Sequence, residues 1–249
     1  QRSQWDALEL NEFHLENPTA KFIEDYFVAK GFIARTKLNT HYHIPIAETW
    51  DGYWKKLSKN LRHNIERRLR RVQENHQLSF QVIEGRHATW ENLEESFTVN
   101  AKGNYPENYK SEQERALHRE LMERMRDRNW IRIAILRFDD QPAAYDYGFA
   151  VQGKFEDWRT GFDLNYADWA GGTLMLYFEL KYLFTEKLQD LDFLRGEYNY
   201  KDKWGPAMRK FVELRIIQSH KLSARLALIW IPNAWRWIKS KRKRKSDKE

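Results

Sequence analysis

No cysteine occurs among the 249 residues, which removes disulfides, thiolate metal sites and a cysteine nucleophile from consideration. No apolar run is long enough to cross a bilayer, and no secretory signal pattern opens the sequence. No internal repeat of solenoid spacing is present. Gln1, not Met, is the first residue, so a natural start further upstream is expected. The missing cysteines and apolar runs fit a cytoplasmic home. What is present is a globular composition: 41% hydrophobic and 32% charged residues are enough to build a core and coat it. The length suits one large domain or two small ones packed together.

The net charge of +7 is unevenly spread. Lys239 to Lys248 hold much of it, and Lys55 to Arg71 most of the rest. Basic stretches suit nucleic acid, anionic lipid or a phosphate-bearing ligand, and they also form solvated helix faces. Charge alone does not choose among these, and nucleic acid is the weakest expectation.

Periodicity divides the chain. Trp5 to Leu10 alternates as a strand, and Pro18 to Lys30 reads as a helix with Gly31 at its end. Phe32 to Thr36 and Tyr42 to Ile46 read as a strand pair around an Asn39-Thr40 turn. Trp50 to Gln73 reads as one long helix, with Tyr53, Trp54, Leu57, Leu61, Ile65, Leu69 and Val72 at helical spacing. Leu78 to Ile83 reads as a strand, Trp90 to Val99 as a helix, and Ser111 with Glu114 as a capping box for a helix to about Asp127. The period then changes to that of three strands, Ile131 to Phe138, Ala143 to Val151 and Lys154 to Phe162, joined by Asp139-Asp140 and Gln152-Gly153 turns. An apolar helix from Leu174 to about Leu188, a strand from Leu191 to Leu194, a mixed loop and a strand from Phe211 to Ile217 follow.

Gly171, Gly172 and Thr173 stand immediately before the apolar helix. A helix start leaves backbone N–H groups unpaired and carries partial positive charge, and glycine lets a phosphate approach that backbone. An ordinary strand-to-helix turn uses glycine too, so the dipeptide alone is weak. The order is more telling: strand meander, Gly-rich turn, helix, strand, then Asp192-Phe193-Leu194-Arg195-Gly196-Glu197-Tyr198-Asn199-Tyr200-Lys201-Asp202-Lys203-Trp204. With Phe162-Asp163, Tyr166, Gly172 to Leu176, and the upstream Leu57-Ser58-Lys59 and Arg62, this resembles the GNAT acyltransferases of the FemAB-like and CelD-like (cellulose biosynthesis protein CelD) branch, over about Trp50 to Trp204. Two departures stand out. Ala170-Gly171 replaces the Ser-Pro pair frequent before the cofactor turn, and members of the branch are usually longer at the amino end.

The resemblance implies an α+β fold, a mixed, mostly antiparallel sheet flanked by helices. It implies residues 1–48 as a remnant of a preceding half or a linker, 49–218 as the acyltransferase domain, and 219–249 as a basic amphipathic tail. Acetyl-CoA or another acyl-CoA is the implied co-substrate, with no metal. Gly171, Gly172, Thr173 and Leu174 are the candidate cofactor contacts. Asp163 and Glu197 are candidates for acceptor binding or proton removal, Tyr200 for protonating the leaving thiolate, and Tyr166, Lys201 and Trp204 for substrate contact. The implied acceptor is an amine on a sugar, a nucleotide-linked sugar or a polysaccharide precursor. The alternative is an accessory protein of polysaccharide synthesis that keeps the scaffold without turnover. Its tail, with Trp235 and Trp237 beside Arg236 and Lys239 to Lys245, would touch an anionic membrane. His41 and His43 alternate as metal ligands do, but the expectation is a surface strand, and His118 is expected to face solvent.

Overall fold

The computed structural model describes residues 5–218, except 108, 187 and 196–198. Glu197 and the tail therefore lie outside the described residues. The chain divides into two compact units, one of residues up to Thr40 and from Arg209, the other His41–Met208.

In the smaller unit, β1 (Ala7–His14) is followed by α1 (Pro18–Ala29) and the first part of β2 (Ile33–Pro45). The Asn17 side chain accepts from Thr19 N and Pro18 supplies a preset first turn, so the start of α1 is fixed locally. Gly31, at φ 82°, takes the left-handed turn that ends it. The last strand among the described residues, Ala207–Ile217, returns antiparallel to β1. Trp5 stacks on Phe32 and meets Phe27 edge-on, an aromatic knot that ties α1 down. β2 is one strand, where a hairpin is expected from the sequence. Asn39-Thr40 takes no positive φ; Asn39, half-buried, instead donates to Glu213 of the last described strand, so its polarity serves a cross-strand bond and not a turn.

The larger unit continues with α2 (Trp50–Lys56), α3 (Lys59–Asn75), β3 (Leu78–Glu84), α4 (Trp90–Ala101), α5 (Glu112–Arg126), β4 (Ile131–Phe138), β5 (Gln141–Val151) and β6 (Lys154–Phe162). Then come α6 (Gly171–Leu183), β7 (Asp190–Arg195), the short α7 (Asn199–Asp202) and β8, the last strand already described. The helix expected as one over Trp50 to Gln73 is two. Leu57 is extended (ψ 151°) and the Ser58 hydroxyl caps Leu61 N at 3.2 Å. The apolar period runs through this break because Leu57 is buried on the same face, which is why periodicity alone misses it.

Strands of the larger unit lie in the order β2-β7-β6-β5-β4-β3, antiparallel except for the β6–β7 pair, and those of the smaller in the order β1-β8-β2. The fold is α+β, with a mostly antiparallel sheet flanked by helices. β4 is buried on both faces. Ala134, Leu136 and Phe138 join a core with Ile65, Val72, Leu174 and Leu180 from α3 and α6, while Ile131, Ile133 and Ile135 join one with Leu93, Phe97 and Met122 from α4 and α5. Alternation along one strand thus assigns α3 and α6 to one face and α4 and α5 to the other. No described helix is long and apolar enough to cross a membrane.

Three histidines depart from expectation. His41 and His43 are buried in β2, and His118 is buried on α5 among Phe97, Tyr109, Tyr147 and Trp158. Burial pushes His118 down to about 4, so it is neutral at pH 7. The polar letters around it in the sequence belong to the outer face of α5.

Candidate functional site

β6 ends at Phe162, and the chain makes a tight turn before α6. Asp163 opens it: Oδ1 accepts from Asn165 N at 2.8 Å, and Oδ2 lies 3.3 Å from Lys102 Nζ of the segment after α4. A 3₁₀ turn over Leu164–Trp169 follows. Its end is held from two sides. The Arg71 guanidinium lies 4.5 Å over Trp169, and His76 meets the same indole edge-on at 4.5 Å. His76 is in turn fixed by Asp139 (2.5 Å) and stacked on Phe138. Tyr166 packs edge-on against Phe138, so it supports this turn from below.

Ala170 then adopts φ 59°, ψ 41°, a left-handed conformation that an L-residue enters at a cost of about 1 kcal/mol. α6 starts there with no side-chain cap. Thr173 N and Leu174 N return to Ala170 O, while the N–H groups of Gly171 and Gly172 have no partner among the described residues. A helix start with two free donors and no cap fits a diphosphate. The glycines also answer to packing: a Cβ on Gly172 would sit 3.1 Å from Phe162 Cδ1, and one on Gly171 3.4 Å from Ala143 O. Leu174 is fully buried and packs in the core behind the turn.

The second part of the site lies where two strands part. β6 and β7 pair in parallel only over Lys154–Glu156 and Asp190–Asp192 among the described residues. β6 runs on to Phe162, whereas β7 turns at Leu194, which has φ 54°. The turn is clasped: Asp192 Oδ1 accepts from Leu194 N at 2.8 Å, and Lys201 Nζ donates to Phe193 O at 2.9 Å. Lys201 is therefore buried and ties α7 back to β7. Trp204 is buried too, and its carbonyl accepts from the Tyr53 hydroxyl at 2.7 Å. Tyr200, beside Lys201, is 41% exposed. The structure thus brings Asp163, Tyr166, Gly171, Gly172 and Thr173 to one turn, and Tyr200, Lys201 and Trp204 to the segment after β7.

Behind Lys201 runs a chain of buried acids. Glu179 on α6, Asp146 on β5 and Asp157 on β6 lie on the α6 face, Asp146 between the other two. Ionised carboxylates only accept, so facing ones must share protons. Burial pushes Asp146 and Glu179 well up; Asp157 and Glu179 add to it at Asp146, while at Glu179 the Asp157 charge adds and the Asp146 hydrogen bond and the Arg132 charge oppose. Asp157 is raised by burial as well, but the Asp146 hydrogen bond and the Lys201 charge hold it lower. Lys201 itself is pulled down by burial against the opposing Asp157 and Asp192. Arg132 closes the far end, paired with Glu84 and near Glu179. None of these acids was singled out from sequence, yet a signal exists: Asp146 interrupts the buried middle of β5 and Glu179 an otherwise apolar helix face. Among the described residues no cluster of histidines and acids has a metal-binding arrangement.

Comparison with known proteins follows from this geometry. The family model described as "Acetyltransferase (GNAT) domain" matches residues 59–202. No curated protein matches the chain. Among solved structures, a C-terminal DUF2156 domain from Agrobacterium fabrum superposes with a TM-score of 0.58 at 12% identity, covering 90% of this chain and 71% of that one. FemX gives 0.57 at 9% identity, covering 83% and 71%. L-PGS from Bacillus licheniformis gives 0.52 at 12%, covering 90% and 73%. At such identities the likeness is one of fold.

Proposed function

This chain belongs to the GNAT acetyltransferase domain family and is an acyltransferase; on that premise we propose that it moves an acyl group from coenzyme A to an amine of a sugar, nucleotide-linked sugar or polysaccharide precursor, in the manner of the FemAB-like and CelD-like branch. The observation that carries the donor half is the uncapped start of α6, where Gly171 and Gly172 offer free N–H groups behind a left-handed Ala170. Thr173 completes that first turn. These donors would take the diphosphate of acetyl-CoA, and the parting of β6 from β7 leaves an unpaired strand edge along which the rest of the donor would lie.

Direct transfer asks the protein to position both partners and to manage protons. The amine nitrogen attacks the thioester carbon, the N–C bond forms and the C–S bond breaks. Tyr200, half-exposed on α7, would give its proton to the departing sulfur. Asp157 is the least protonated member of the acid chain and would receive the amine's proton, with Asp146 and Glu179 behind it. Glu197 is a further carboxylate for the acceptor. Asp163, with one oxygen held by Asn165 and the other by Lys102, positions the α6 turn. Lys201 and Trp204 fix the segment that carries Tyr200.

Calorimetric titration of the purified chain with acetyl-CoA tests the reading. Saturable one-to-one binding, lost when adenosine, which has no diphosphate, replaces acetyl-CoA as ligand, is expected. Absence of binding heat at any temperature would sink it.

A further inference from the structure

The opposite face of the same strand carries a cation with no acid. β5 and β6 slip register between Tyr147 and Gly148: Gly148 faces Asp157 and Tyr147 faces Arg159, leaving Trp158 as the extra residue of a bulge. In a regular strand, residues two apart share a face, so Asp157 and Arg159 would stand side by side as an ion pair. The bulge separates them. Asp157 joins the acid chain on the α6 face, and Arg159 lies with Trp158 on the α4–α5 face.

There Arg159 is half-buried and has no carboxylate within 4 Å among the described residues. Its neighbours are His118, Tyr109, Tyr145 and Tyr147. Glu114, the nearest acid on α5, is turned to the backbone N–H of Tyr109 at 2.8 Å. Tyr145 donates to Asn100 Oδ1 at 3.2 Å. Five buried atoms of this ring lack any hydrogen-bond partner: Arg159 Nε, Tyr109 Oη, Tyr147 Oη and both ring nitrogens of His118. Tyr109 is held at φ 66°, a conformation that costs energy in a non-glycine residue and here keeps its ring stacked on Phe97 at 4.1 Å. Buried polar groups are normally satisfied, and a guanidinium is expensive to keep from its counter-ion. The guanidinium lies over the Trp158 ring at 4.9 Å; a cation held there, with hydroxyl groups around it and no carboxylate within 4 Å among the described residues, suits an oxyanion bound by charge-assisted bonds.

We infer that Arg159, with Tyr147, Tyr109 and His118, binds an anionic group, a carboxylate or phosphate, on the amine acceptor. The ring belongs to the strand that leads into the α6 turn. Arg159 and Asp163 are four residues apart, roughly 13 Å along β6. Gly161 between them packs directly on Tyr145, and Lys102, which holds Asp163, follows Asn100 by two residues. An acceptor anchored by its anion on Arg159 can therefore extend its amine toward the parting of β6 and β7. The inference rests on the acyltransferase reading and names the acceptor's class.

The test is calorimetry on the full chain already saturated with coenzyme A, so that the donor's own phosphates are accounted for. Two matched pairs serve as probes: glucosamine 6-phosphate against glucosamine, and 4-aminobutyrate against butylamine. At least one anionic probe is expected to bind about tenfold or more tightly than its neutral mate. Arg159→Met should abolish that preference, Arg159→Lys should restore part of it, and Tyr147→Phe should reduce it several-fold. Equal response to both members of each pair, or response to none, overturns the inference. So does an Arg159→Met protein that loses coenzyme A affinity instead, since the cation would then serve the donor. Failure of the first coenzyme A titration is a separate result and strikes the donor reading alone.

Discussion

On the α6 face of the larger unit's sheet, the buried ionisable groups are acids in a chain that runs from Arg132 at one end to Lys201 at the other. On the α4–α5 face they are an arginine, a histidine and tyrosines, with the nearest acid turned away. One bulge in β6 separates the two sets. The acid face has carboxylates that raise one another's proton affinity and cations, Lys201 and Arg132, at its ends, so it can hold or release protons without a ligand. On the other face Arg159 has the Trp158 ring but no carboxylate within 4 Å among the described residues, so that face gains most from an anion. A sheet buried on both sides can thus keep opposite chemistries about a strand's thickness apart, because alternation and a single extra residue decide which side each charge meets.

The largest effect on this contrast should come from Lys201→Met. It leaves Asp157 and Asp192 without their buried counter-charge, and a loss of roughly 3–5 kcal/mol in urea denaturation is expected. Tyr200→Phe should lower kcat about 100-fold in a transfer assay while leaving acetyl-CoA affinity within twofold. An unchanged kcat would assign the hydroxyl to packing and move the chemistry away from this end of the acid chain.

Smaller changes separate the faces by pH. The raised acids favour folding in their neutral form, so their contribution is present below about pH 4 and is lost as pH rises through the folded values. Asp146→Asn should therefore gain about 1–2 kcal/mol at pH 8 and little at pH 5, read by thermal denaturation in parallel buffers. His118 has the opposite slope. Its folded value is depressed to about 4, so its contribution is full above about pH 6.5 and falls as pH drops toward 4. His118→Leu should flatten that limb by about 1 kcal/mol between pH 7 and pH 5; equal acid sensitivity in both proteins would show that the ring is solvated. Least of all, Ala170→Gly should relieve the left-handed strain and stabilise by about 0.5–1 kcal/mol, measured by the same melts.

Most of the fold was open to periodicity. The β4–β5–β6 meander, α1, α4 and α5 stand where the apolar spacing and the caps place them; of the capping box expected at Ser111 and Glu114 only the Ser111 half forms, since the Glu114 carboxylate turns to Tyr109 N. The errors share a cause. Ser58 ends one helix and begins another without breaking the apolar stripe, and Asn39-Thr40 looks like a turn because a polar side chain that serves a cross-strand bond reads the same as one in a loop. The α6 turn was also legible, since glycines before an apolar helix imply a close approach. The structure adds that Phe162 is one of the things approached.

By itself, then, the sequence determined the elements, the meander and the place of the uncapped helix start, because these depend on spacing and local backbone preference. Only tertiary structure decided which charges meet. Asp146, Asp157 and Glu179 are far apart in the chain and carry no motif, and Asp157 and Arg159 are two residues apart yet face opposite ways. Electrostatic partnership depends on distance through a low-dielectric interior, and a one-residue slip in register reverses it without leaving any trace in composition or period.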